Sequence, residues 1–275
     1  MKKRILLVIA ILTFIILCFV FNEYDLNISV NLTKYDNGFY ETFDDYGELP
    51  VYVGPILFGV VYFYLSKKII YKLMSLGITG VAYLVAIYKI FDNKEIELSL
   101  SNIVLIIGIA LILFLATVYA FSKVNKDILV NLKDLALVGL ITTIASVACV
   151  EVLKLTWGRV RFRDLSSDYS EFTNLFTVNG YTGNKSFPSG HTNAATSILL
   201  ISLMIPRFTN KKWIKYLVAS LCFVYIAFVA VSRIVVSAHY ASDVMVGFVV
   251  GLLTISLTYY ILKRKGVINV ANDKC

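Results

Sequence analysis

The chain contains two histidines, His191 and His239, and each sits where a polar connection meets an apolar stretch. Asp243 follows His239 by four residues, one turn along a helix and on the same face. At that spacing a carboxylate can hold one imidazole nitrogen as a hydrogen-bond donor. The other nitrogen keeps its lone pair and can attack an electrophile. We read His239 as a nucleophile toward phosphorus and Asp243 as its orienter. His191 has the chemistry of a proton donor to a leaving oxygen and then an acceptor from water. Lys154, Arg161 and Arg233 add positive charge; arginine binds phosphate oxygens bidentately and lysine acts as a point charge. Ser189 and Gly190 open a helix, where backbone N–H groups and the helix dipole favour an anion, and Gly190 permits a close approach. Phosphoryl transfer is largely positioning and charge stabilisation. These blocks carry a single carboxylate, already committed to His239, so a reaction without a metal or other cofactor is the expectation.

Three blocks hold these residues: Lys154-Leu-Thr-Trp-Gly-Arg-Val-Arg161, then Pro188-Ser-Gly-His191, then Ser232-Arg233 with His239 and Asp243 behind it. In order and spacing they resemble the three-part signature of the type 2 phosphatidic acid phosphatase (PAP2) superfamily, K-x6-R-P, P-S-G-H and S-R-x5-H-x3-D. The second and third blocks match at every defined position. The first departs once, with Phe162 where the family has proline; the charges remain and the local turn is altered. The resemblance covers about residues 155–243. It implies a phosphohistidine intermediate at His239 and a phosphate cradle of Lys154, Arg161, Ser189, Gly190 and Arg233. The vanadium haloperoxidases share the signature but are soluble.

Composition says what must position these residues. Of 275 residues 58% are hydrophobic and 16% are charged, and the mean hydropathy is +0.76. A soluble domain is about 25% charged. The balance excludes a disordered chain, a disulfide-stapled module and an ordinary cytosolic enzyme. It indicates an all-α polytopic transmembrane bundle, by resemblance built on a six-helix core. An apolar run from Ile5 to Phe21 follows Lys2, Lys3 and Arg4; it lacks a small-residue cleavage site and is read as an uncleaved first helix rather than a signal peptide. Seven more apolar segments follow, at about 50–66, 69–91, 101–121, 134–156, 189–206, 213–232 and 240–262. Each is near the roughly 20 residues that span a bilayer, giving eight spans. The pair within 50–91 also admits a re-entrant hairpin. Residues 1–275 are read as one membrane domain, with N-terminal helices over 1–133 and a catalytic core over 134–262.

The net charge of +8 comes from 26 basic and 18 acidic residues. With the N-terminus in the cytoplasm, 17 of the 26 basic residues fall on inside connections, including Lys67, Lys68, Lys72, Lys211, Lys212, Lys263, Arg264 and Lys274. The connection 22–50 is acidic, with Asp25, Asp36, Asp44, Asp45 and Glu48, and falls outside. This is a positive-inside pattern. It accounts for the basic excess without nucleic acid, puts both termini inside, and places the three blocks on the outer face of the plasma membrane.

The remaining candidates carry competing readings. Glu151, one turn before Lys154, either holds a neighbouring cation or snorkels outward. Arg159, Arg163 and Lys185 read as snorkelling cations at the interface. Asp164 and Asp168 read as solvated loop residues, and Glu48-Leu49-Pro50 as a helix start. Trp157 fits an interfacial aromatic belt. Three N-x-S/T sequons, at Asn27, Asn31 and Asn184, are discounted. Cys18, Cys149, Cys222 and Cys275 lack metal-ligand spacing and read as apolar fillers.

The reading that follows is a membrane-embedded lipid phosphatase. Its substrate would be a phosphomonoester or pyrophosphate such as undecaprenyl pyrophosphate, phosphatidylglycerophosphate or phosphatidic acid. The alternatives are a lipid phosphotransferase using the same intermediate and an anion-binding transporter.

Overall fold

The computed structural model describes residues 2–35 and 38–268, and over these it is helical with no strand. Asp36, Lys274 and Cys275 lie outside the described residues. Ten α-helices follow one another: α1 (Lys2–Leu32), α2 (Gly38–Tyr46), α3 (Pro50–Leu65), α4 (Ile69–Asn93), α5 (Leu100–Ser122), α6 (Lys126–Trp157), α7 (Gly190–Thr196), α8 (Leu199–Met204), α9 (Lys212–Val235) and α10 (Ala241–Arg264). In lipid every backbone polar group must be satisfied within the protein, and a helix does this within its own segment.

Seven elements among the described residues are long and apolar enough to cross a membrane, where eight are expected. The missing one is 189–206. Within it Ser197 and Ile198 donate their N–H groups three residues back, to Ala194 and Ala195, and Leu200 and Ile201 do likewise to Ser197 and Ile198. The Thr196 hydroxyl donates to the Thr192 carbonyl at 2.7 Å; such back-bonding bends helices. The result is a bent helical path of two short helices, closed by a 3-10 turn at Ile205–Arg207 around Pro206.

The weak segment 50–91 forms two separate helices, α3 and α4, joined by Ser66-Lys67-Lys68 and packed on each other. Pro50 starts α3, where its missing N–H has no role to fill.

The connection 22–50 differs most from the expectation of a polar loop. Helix α1 runs past its apolar stretch to Leu32, and α2 occupies Gly38–Tyr46. The reason lies at Asp25 and Ser29, which are fully buried against the bundle instead of facing water. Ile28 and Leu32 pack on Ile234, Ala241 and Val244.

The main core gathers Leu135 and Val138 of α6, Ala195 of α7, Leu199 and Leu200 of α8, Cys222, Ile226 and Val229 of α9, and Ile255 of α10. A second cluster joins Val60 and Val61 of α3 to Leu129, Leu132 and Ala136 of α6. Helix α7 is thereby clamped between α6, α9 and α10. Gly247 of α10 backs directly onto the Ser189 carbonyl, where a Cβ would collide. That close approach sets the distance between the second and third blocks.

Candidate active site

Each sequence block ends at a helix terminus, and the three termini are hydrogen-bonded to one another. Gly158 ends α6 in the left-handed region, φ 52°, with its N–H on the Lys154 carbonyl at 3.1 Å. The chain then leaves the helix axis and carries Arg159 and Arg161 across the bundle. The Arg163 N–H donates to the Ser237 carbonyl at 2.9 Å, tying the first block to the third. The Ser189 N–H donates to the Asp243 carbonyl at 3.0 Å, tying the second to the third. The N–H groups of Ala238 and His239 both donate to the Arg233 carbonyl, at 3.1 and 3.0 Å, which turns the chain between α9 and α10 and presents His239.

A cavity of about 320 Å³ opens between these termini. Lys154, Arg161, Gly190, His191, Arg233 and His239 line it, as the sequence reading grouped them, together with Arg163. Ser189 and Asp243 stand behind the wall. The Ser189 amide is occupied by Asp243 and its hydroxyl caps α7, accepting from the Thr192 N–H at 3.3 Å. Asp243 backs His239, with Oδ2 3.6 Å from His239 Nδ1. That is longer than a hydrogen bond, and catalytic pairs commonly tighten only when substrate binds. Burial pushes the His239 imidazole down to about 3, with the Asp243 carboxylate pulling the other way and Arg233 and Arg161 adding to the fall. The ring is therefore neutral around pH 7 and its second nitrogen is a free base.

Asp243 is held from three further sides. Its Oδ1 accepts from Arg159 Nη1 at 2.8 Å, and its Oδ2 from the Ser186 hydroxyl at 2.6 Å and the Tyr240 N–H at 3.0 Å. Arg159 is a correction to the sequence reading. It does not snorkel: its side chain is 0% exposed. It bridges Asp243 to Asp25 of α1, donating to Asp25 Oδ2 at 3.0 Å, with its guanidinium 4.0 Å from the centre of the Tyr240 ring. Asp25 in turn accepts from the Ser242 N–H at 2.9 Å. A buried charge persists only when paired and hydrogen-bonded, and here three of them satisfy one another.

Glu151 pairs with Lys154 at 3.3 Å and with the half-exposed Lys185 at 3.7 Å, so it holds cations at the rim. Asp168 is a surface residue bonded to Ser166, as expected of a loop. Phe162, in the proline position, starts a 3-10 turn and stacks on Tyr169.

The opposite wall of the cavity comes from the N-terminal half, which the motifs do not mark. It comprises Asp44 of α2, Glu48 before α3, and Lys89, Asp92, Asn93 and Glu95 at the end of α4. Asp44 pairs with Arg233, and Glu48 Oε2 lies 4.0 Å from His191 Nδ1. The acidity of 22–50 is the sequence signal for Asp44 and Glu48, and none marks the four from α4 and its end. Beside this cavity runs an apolar groove of about 370 Å³. Tyr46, Leu49 and Pro50 line it on either side of Glu48, and Ser197, Ile198 and Ile201 continue it along α7 and α8. The two linings share no residue but adjoin along the chain at Tyr46–Pro50, where Glu48 lines the cavity and its neighbours line the groove. Among the described residues no trio of His, Cys, Asp or Glu side chains is placed to hold a metal ion.

A family model described as the PAP2 superfamily matches residues 135–266, from α6 to the end of α10. No curated protein and no solved structure is similar to the chain in these comparisons.

Proposed function

From the match of residues 135–266 to the PAP2 superfamily we propose that the chain is a membrane-embedded lipid phosphatase working through a phosphohistidine. The family's chemistry is phosphatase action on phosphate esters, often those of lipids. The observation that carries the finer reading is the meeting of His191 and His239 with Lys154, Arg161 and Arg233 around one cavity. His239 attacks phosphorus, and the bond to the leaving oxygen breaks as that oxygen takes a proton from His191. His191 then removes a proton from water, the oxygen attacks phosphorus, and the P–N bond returns its electron pair to His239. Asp243 holds His239 in orientation. Lys154, Arg161 and Arg233 offset the charge that builds on the phosphoryl oxygens, and Gly190 leaves room for them.

The apolar groove beside the cavity supports a substrate with an acyl or prenyl tail. Undecaprenyl pyrophosphate, phosphatidylglycerophosphate and phosphatidic acid are the substrate types proposed. A reaction without a metal cofactor is part of the proposal, and the chelator in the assay below tests it. The charge asymmetry of the connections supports a plasma-membrane protein with both termini in the cytoplasm and the cavity facing outward.

The test is phosphate release from these lipids by purified protein in detergent with EDTA present. Release that disappears in His239→Ala and His191→Ala is expected. Unchanged release from His239→Ala would refute the mechanism. Labelling of a cysteine placed within 166–171 on intact cells tests sidedness, with labelling from outside as the expected result.

A further inference from the structure

His239 has a carboxylate at its Nδ1, and so does His191. Glu48 Oε2 lies 4.0 Å from His191 Nδ1, and both side chains are 14% exposed. Glu48 belongs to no sequence block and lies outside the segment that matches the family. It reaches the cavity because Pro50 starts α3 two residues later and because Asn93, at the end of α4, holds it. Asn93 Nδ2 donates to Glu48 Oε1 at 3.3 Å and to the Asp45 carbonyl at 3.1 Å. The charged groups facing the His191 ring are Glu48 from the start of α3, Lys89 from α4, Lys154 from α6 and Arg161 from the loop after it. Burial is the largest influence and lowers the proton affinity of the ring; the three cations add to that fall and Glu48 opposes it.

Resting on the phosphatase reading, we propose that Glu48 is the positioning residue for His191, doing for the acid–base histidine what Asp243 does for the nucleophile. In the first step the P–O bond breaks and His191 gives its proton to the leaving oxygen. In the second His191 regains a proton from water as the P–N bond breaks. His191 must therefore begin the cycle as an imidazolium among three cations. Glu48 is the carboxylate that balances that charge and aligns the ring, and it neither gains nor loses a proton in the cycle.

The test is Glu48→Gln, which keeps the size and removes the charge. A group acting through the imidazolium matters most when the leaving oxygen is basic. For a lipid alkyl phosphate, kcat is expected to fall about 10-fold to 100-fold with KM little changed, within the usual range for acid–base assistance. The burst of p-nitrophenol from p-nitrophenyl phosphate, whose leaving group needs little protonation, is expected to fall far less. The basic limb of the kcat/KM profile is expected to move to lower pH, because the imidazolium loses its counter-charge. Glu48→Asp should recover part of the shift. An equal fall for both substrates with an unmoved pH profile would mean a structural role and would overturn the proposal, as would an unchanged kcat. Wild-type protein inactive on every phosphate ester would instead refute the phosphatase reading itself.

Discussion

Arg159 Nη1 lies 2.8 Å from Asp243 Oδ1, with both side chains fully buried. The first sequence block is thereby fastened to the carboxylate behind His239 by a residue that the signature leaves undefined. Through Asp25, 3.0 Å from the other end of the same guanidinium, the fastening extends to α1. Removing one partner of a buried ion pair leaves an uncompensated charge. Arg159→Ala is expected to destabilise the protein by about 3–5 kcal/mol. Thermal unfolding in detergent measures it. Arg159→Lys should not restore stability, since one ammonium cannot reach both carboxylates as the planar fork does.

Asp243→Asn keeps the shape and removes the charge. Arg159 retains Asp25, so folding should survive. An amide can hold the imidazole in the wrong tautomer, and kcat should fall by a factor of about 10,000, as in other oriented histidines. Steady-state kinetics on a lipid phosphate, with a circular dichroism spectrum to show the fold intact, checks this.

The two arginines of the first block should separate by function. Arg161 lines the cavity and is partly buried, beside Arg163, whose backbone anchors the loop to Ser237. Arg161→Ala should lower kcat/KM by a factor of about 100 to 1,000, the usual loss for one donor to a developing anion. Arg163→Ala should cost about 10-fold or less. Parallel kinetics of both variants decides it.

Most apolar segments and the three blocks were legible because each follows local physics: lipid demands about 20 apolar residues per helix, and the blocks place chemistry at helix ends. Lys154, Arg161, His191, Arg233 and His239 accordingly meet at one cavity. What escaped the sequence was long-range. Arg159 looks like any interfacial cation until Asp25, 134 residues away, is seen beside it. Glu48 looks like a helix start until α4 brings Asn93 to hold it. The bend at Ser197–Ile198 escaped because 189–206 is apolar enough to read as one span. Ser189 opens a helix as expected, yet its amide is taken by Asp243, a partner that spacing does not reveal.

The protonation of His239 has consequences for pH. Its ordinary value is 6.5, and burial lowers it to about 3 in the folded protein. Between these values the unfolded chain binds the proton and the folded one does not. This group's contribution to stability is full above about pH 6.5 and is lost as the pH falls toward 3. Stability should decline on acidification below that point, and His239→Gln should remove part of the decline. Because the ring stays neutral, single-turnover formation of the phosphoenzyme should not fall between about pH 7.5 and about pH 5 for lack of a free nucleophile. Rapid-quench measurement on p-nitrophenyl phosphate tests this.

The most direct measurement is alkaline quenching in denaturing detergent of enzyme mixed with a lipid phosphate carrying phosphorus-32 in the transferred phosphoryl group, followed by mapping of the labelled peptide at alkaline pH. The account predicts a label that is stable to base, labile to acid and carried by His239, and that persists longer in His191→Ala. A label on His191, or phosphate release with no label trapped at any quench time in either protein, would contradict it.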